Sequence, residues 1–250
     1  MIATIAWREL KTLFLSPLAW VVLAVITFLM AWLFLVQVDA FLLLQPRLAA
    51  LPGAPGVTDL VVAPLFSSAT ILLMLIVPLM SMRLVAEEKR NSTWTLLLSA
   101  PVSVRTIVLG KFFGLLGFLL ILLGLLFLMP LSLLLGTGLD MGKFASGALG
   151  LILLVAAFGA AGLFMSTLTR QPVIAATASF GLFLLLWLID LAARNAGTAG
   201  GLFEYLSLLR HFQVLARGMV NSSDIIYYLL FIAVFLSLSV RKLDTERLQG

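Results

Sequence analysis

The sequence predicts an all-α integral membrane protein with six transmembrane helices, and three observations carry that expectation. Of the 250 residues, 62% are hydrophobic and only 11% charged, where an ordinary globular domain has roughly a quarter of its residues charged. The mean hydropathy is +1.19, more apolar surface than a soluble core absorbs, so lipid is the solvent for most of the chain. The Lys and Arg residues behind the net charge of +5 stand at the ends of apolar runs, as membrane anchors do, which argues against nucleic acid as their partner. Cysteine is absent, which excludes disulfides and thiolate metal sites.

The elements follow in chain order. In residues 1–16, Ile2, Ala6, Leu10 and Leu13 share one helical face while Thr4, Arg8 and Lys11 lie opposite, which predicts an amphipathic helix lying flat in the membrane interface. A cleaved signal peptide fits less well, because the apolar run that follows is a full span without a small-residue cleavage site. Ser16-Pro17 supplies cap chemistry and a first-turn proline for the first span. At about 20 apolar residues per crossing, spans are expected near Leu18–Val38, Leu60–Met82, Ile107–Leu135, Phe144–Leu168, Val173–Ile189 and Ile225–Val240, the last two extending into their flanks. Pro46, Pro52, Gly53, Pro55 and Gly56 make the stretch from Phe41 to Asp59 an expected irregular external loop. Thr169, Arg170, Gln171 and Pro172 predict a tight turn between the fourth and fifth spans. In the external segment 192–224, Leu202, Tyr205, Leu206, Leu209, Phe212, Leu215 and Ala216 recur at helical spacing, predicting an external helix, interfacial or re-entrant. The whole chain, 1–250, reads as one transmembrane domain.

Orientation follows from the basic residues. Arg8, Lys11, Arg83, Lys89, Arg90, Arg105, Lys111, Arg170, Arg241, Lys242 and Arg247 fall on one side, and Arg47, Lys143, Arg194, Arg210 and Arg217 on the other. The richer side is expected to be cytoplasmic, with both termini inside the inner membrane.

Catalytic chemistry is missing where an enzyme or an ion-coupled carrier would need it. The span centres hold no ionisable side chain; Asp39, Lys111, Asp140 and Asp190 fall near span ends, where charges reach water. His211 is the only histidine, and Arg105 stands where a phosphate-binding Gly-x-x-x-x-Gly-Lys loop ending in Gly110-Lys111 would require glycine. Neither a metal nor a cofactor is therefore expected on this chain. Gly110, Gly114, Gly117 and Gly124 fall on one narrow face of the third span, which favours close helix packing within the subunit or between subunits. Gly159 and Gly162 fit a similar role in the fourth span, and Pro64 and Pro78 allow kinks in the second. The hydroxyls of Ser67, Ser68, Thr70, Ser166, Thr177 and Ser179 are expected to bond their own helices, and the lack of a charged recognition group favours an apolar or amphipathic cargo.

The most distinctive stretch is polar, the loop 83–106. Arg83, Glu87 and Arg90 stand at helical spacing, so opposite charges pair along a helix leaving the second span. Asn91, Ser92 and Thr93 offer cap chemistry. Trp94, Leu97 and Leu98 then form a compact apolar face that ends at Ser99-Ala100-Pro101, and Ser103 caps the next helix. An interfacial elbow resting on lipid headgroups fits this pattern, and a knob that docks on another protein fits it better.

The run AEEKRNSTWTLLLSAPVSVRTIVLGK resembles the inner loop of ABC-2 type permeases, with Glu87, Glu88, Arg90, Thr93, Leu97, Leu98, Pro101, Gly110 and Lys111 matching and Ser92 standing where that family often has glycine. The tail is similar to that of the gliding-motility-associated permeases through Tyr205, Leu206, Ser207, His211, Phe212, Arg217, Gly218, Asp224 and Tyr227, and WRELKTLFLSPLAWVV looks like their N-terminal helix. The resemblance implies the permease subunit of an ATP-driven exporter, non-catalytic itself. It would pair with a second copy or a paralogous permease, and two cytoplasmic ATPases would carry the ATP and Mg. It leaves room for an accessory envelope protein and gives no role to nucleic acid. Arg83, Glu87, Glu88 and Arg90 would make the charged ATPase contact, with Thr93, Trp94, Leu97 and Leu98 the packed one. The rival expectations are a membrane scaffold that does mechanical work on an envelope or motility complex, and an ion-coupled carrier.

Overall fold

A computed structural model describes residues 1–48, 55–92, 102–136, 138–195 and 205–249. They form α1 (Ile2–Leu15), α2 (Pro17–Leu48), α3 (Ala63–Ser81, entered through a π turn over Thr58–Val62), α4 (Arg83–Arg90), α5 (Val104–Ser132), α6 (Met141–Leu168), α7 (Pro172–Asn195), α8 (Leu208–Ala216) and α9 (Ser222–Gln249). Six stretches are long and apolar enough to cross a membrane: Pro17–Arg47, Thr58–Arg90, Val104–Leu135, Met141–Leu168, Pro172–Ala192 and Ser222–Arg247. The chain is an all-helical, multi-pass membrane protein.

The first span runs further than expected. Helix α2 continues through Phe41–Leu44 and contains Pro46 in its last turn, so the loop expected from Phe41 does not begin before the end of α2 at Leu48; residues 49–54 lie outside the described residues. An apolar run continues a helix readily, and a proline so near the C-terminus only ends the hydrogen-bond ladder.

Helix α6 is the centre of the bundle: 67% of its apolar window is buried, against 17% for α7 and for α9. Its stretch Ala156, Ala157, Gly159, Ala160, Ala161 and Gly162 is buried throughout, and such small side chains let neighbouring backbones approach. A Cβ added at Gly162 would stand 2.8 Å from Ser81 Cβ, so α3 and α6 pack closely there. The turn between α6 and α7 is as tight as expected, with the Gln171 amide donating to Thr169 Oγ1 at 3.1 Å.

Helices α3 and α4 are one membrane-length helix interrupted at Met82, and a neighbour makes the interruption. The Ser166 hydroxyl of α6 accepts from the amides of Val85 at 3.1 Å and Ala86 at 3.0 Å and donates to the Met82 carbonyl at 3.0 Å. A side chain has entered the backbone ladder, a recognised cause of kinks. Ser67, Ser68, Thr70, Thr177 and Ser179 bond to carbonyls of their own helices, but Ser166 departs from that expectation.

Candidate coupling site

The site is built where α1, α4, α5 and the C-terminal part of α9 meet at one end of the bundle. Helix α1 lies along α5. A Cβ at Gly110 would come 2.5 Å from Ile5 Cγ2, and one at Gly114 2.5 Å from Glu9 Cβ, while Gly117 faces Leu10 at 3.6 Å and Gly124 faces open space. The glycine groove thus receives Ile5 and Glu9, and the face of α1 turned inward is rotated from the expected Ile2–Ala6–Leu10–Leu13 stripe. Leu13 remains buried, whereas Ile2 and Trp7 are exposed.

At the mouth of that groove Lys111 is 2% exposed. Its Nζ donates to Glu9 Oε1 of α1 at 2.6 Å and to Glu88 Oε1 of α4 at 2.7 Å. The expectation that Lys111 snorkels to water is overturned: a lysine stays buried when carboxylates neutralise it at hydrogen-bond distance. One ammonium therefore clamps the N-terminal helix, the stem of the polar loop and the third span.

A second set of contacts ties the same stem to the other end of the chain. Lys89 Nζ stands 2.7 Å from Glu246 Oε2 of α9 and donates to the Thr167 carbonyl at the end of α6 at 2.5 Å. Arg247 reaches the Val102 carbonyl just before α5 at 3.3 Å. Ser103 caps α5 as expected, accepting from the Thr106 amide.

Beside the clamp lies a cavity of about 420 Å³, lined by Arg8, Glu9, Arg83, Glu87, Glu88 and Asn91 among others. Arg83 donates to the Ser16 hydroxyl at 3.0 Å and stands 3.9 Å from Glu87. Arg90 is exposed at the end of α4. Of the residues singled out in the loop, Arg83, Glu87, Glu88 and Arg90 are thus at one place, with Glu88 turned inward to Lys111; Thr93, Trp94, Leu97 and Leu98 lie outside the described residues. Asn91 and Ser92 close α4 at its C-terminus, and Ser92 takes φ +57°, the left-handed conformation that favours glycine.

At the opposite end, α8 packs on α6 with Phe212 and Leu215 over Gly150. Its Ser207 cap accepts from the Arg210 amide at 3.1 Å and donates to Asp190 of α7 at 2.8 Å. Asp190 is 2% exposed, so the expectation of a hydrated span-end carboxylate fails for it; a buried hydroxyl partner takes the place of water. Gly218 (φ +89°) ends α8, with its amide on the Leu215 carbonyl and that of Met219 on Val214. Among the described residues no group of three His, Asp or Glu side chains could hold a metal ion.

Among the described residues, six helices long and apolar enough to cross a membrane, tied at one end by a charged joint, define a multi-pass membrane protein. The chain matches the model of the ABC-2 family transporter proteins over residues 3–248 and belongs to that family. It is accordingly a transmembrane transporter subunit, in a family whose members are generally non-catalytic and associate with an ABC ATPase. Curated proteins give no significant match.

Proposed function

We propose that this chain is the permease of an ATP-driven exporter in a bacterial inner membrane, moved by a separate cytoplasmic ATPase. The Glu9–Lys111–Glu88 joint carries the reading, because it makes the loop stem, the N-terminal helix and the third span move as one piece. In this reading the end rich in Lys and Arg faces the cytoplasm, with both termini. Arg83, Glu87 and Arg90, with Arg8 across the cavity, meet the ATPase by charge, and Thr93, Trp94, Leu97 and Leu98 meet it by packing. Glu88 works inside the permease as a positioning residue. Two ATPases hold ATP and Mg, and the permease pairs in the lipid with a second copy or a paralogue. As the ATPases close, α4 is displaced, and it draws α1 and α5 with it through Lys111 and α6 through Ser166.

Purification from native membranes, with mass spectrometry of the associated proteins, tests the partner. An ABC ATPase is expected, and its recovery should fall with Glu87→Lys. Uphill transport by the purified chain alone in vesicles, driven only by an ion gradient, would overturn the proposal.

A further inference from the structure

The residues most densely hydrogen-bonded away from the coupling site surround the single histidine. His211 on α8 is buried. Its Nδ1 is 2.6 Å from Asp224 Oδ1 at the start of α9, and its Nε2 is 3.0 Å from the Tyr205 carbonyl. Two neighbouring bonds hold the same strip of backbone: Tyr227 Oη donates to the Leu206 carbonyl and Tyr228 Oη to that of Leu208, both at 2.7 Å.

A carbonyl oxygen only accepts, so Nε2 must carry hydrogen; a carboxylate also only accepts, so Nδ1 must carry hydrogen as well. With Asp224 ionised, both bonds exist together only in the imidazolium. Two further features favour that form. The Tyr227 ring stacks on the imidazole at 4.2 Å and 27°, where a cation meets the negative face of an aromatic ring. Asp224 is 5% exposed and its Oδ2 has no hydrogen-bond partner, so His211 is its available counter-charge in the pair.

We propose that His211 and Asp224 form a buried proton-binding site that clasps α8 and the turn before it to α9, and that opens when the proton leaves. Loss of the proton to bulk water leaves one hydrogen for two acceptors. Either Tyr205 loses its donor, or the Nδ1 lone pair faces the carboxylate; in both cases the buried Asp224 loses the counter-charge of the imidazolium. Among the described side chains, the titratable groups that the elements packed against α8 bring to this end of the bundle are engaged elsewhere. Lys143 of α6 is held by Asp59 at 2.7 Å and Asp190 of α7 by Ser207. Tyr227 and Tyr228 of α9 donate to carbonyls, α3 has no ionisable residue, and Tyr205, Arg210 and Arg217 belong to the α8 segment itself. The site is independent of the ATPase reading and concerns the end of the bundle away from the coupling joint.

Because the chain has one histidine, ¹⁵N-histidine labelling of the full chain in lipid nanodiscs reports this ring alone. While both bonds are made, both ring nitrogens are expected to carry hydrogen. As that signal titrates away on raising the pH, hydrogen exchange at the His211 amide, corrected for its intrinsic rate, should accelerate about tenfold or more, the scale of one charge-assisted hydrogen bond. His211→Gln and Asp224→Asn should exchange at the fast rate at every pH. A ring that is neutral throughout the titration, a ring that titrates without a change in exchange, or a His211→Gln protein with the wild-type pH dependence overturns the proposal.

Discussion

Lys111 and Glu9 are 102 residues apart in the chain and 2.6 Å apart in space, and the bond between them fixes α1 against α5. Glu88 shares the same ammonium from the other side. The joint therefore links the N-terminal helix to the polar loop through one buried cation, and removing the cation is predicted to cost more than removing either carboxylate.

Lys111→Met leaves two carboxylates facing a buried site. It is expected to destabilise the protein by about 3–5 kcal/mol, as removal of one partner from a buried pair does, read as an earlier unfolding transition in nanodiscs. Glu9→Gln and Glu88→Gln should each cost less, since Lys111 keeps one carboxylate.

Glu88→Lys sets two ammonium groups together and should uncouple ATP hydrolysis from transport while the protein still inserts in the membrane. Leu97→Asp should do the same by spoiling the apolar contact. Assay of both activities in reconstituted complexes checks this; normal coupling in both variants would remove the assignment.

Gly114→Ala puts a methyl group 2.5 Å from Glu9 Cβ and should push α1 off α5, at about 1–3 kcal/mol for overpacking. Gly124→Ala, facing open space inside the helix, should not destabilise and is expected to gain up to about 1 kcal/mol from the helix preference for alanine. Thermal unfolding of the two variants side by side is the measurement.

Ser92→Gly relieves a left-handed residue at the end of α4 and should stabilise by about 1 kcal/mol. Gly218→Ala should do the reverse: its φ of +89° is strained for alanine and its Cβ would meet Lys143 Cγ at 2.8 Å. Opposite shifts in unfolding temperature are expected.

The six spans, the Ser103 cap and the turn before Pro172 were legible in the sequence because each rests on neighbours within a turn or two. The glycine face of α5 was legible too, but not its occupant: a stripe of small residues says that something approaches, and only the fold says that it is α1. Lys111 and Asp190 were misread for a related reason. Proximity to a span end suggests water, whereas their partners lie 102, 23 and 17 residues away in the chain. Ser166 was misread because a hydroxyl in an apolar helix ordinarily turns to its own backbone, and only the close approach of α3 offers it a better acceptor. In the tail, spacing along the chain does not reveal that Tyr205, Leu206, Ser207, His211, Asp224 and Tyr227 touch one another in the fold.

Ser166 also determines how the second span is able to bend. The Val85 and Ala86 amides that it holds have the carbonyls of Ser81 and Met82 one turn behind them, the partners of an unbroken helix. Straightening would trade the hydroxyl for the Ser81 carbonyl at Val85, and flexing would trade it back. The Val85 donor thus has a partner at hand whether the helix is bent or straight, and a bend at Met82 leaves no amide there exposed.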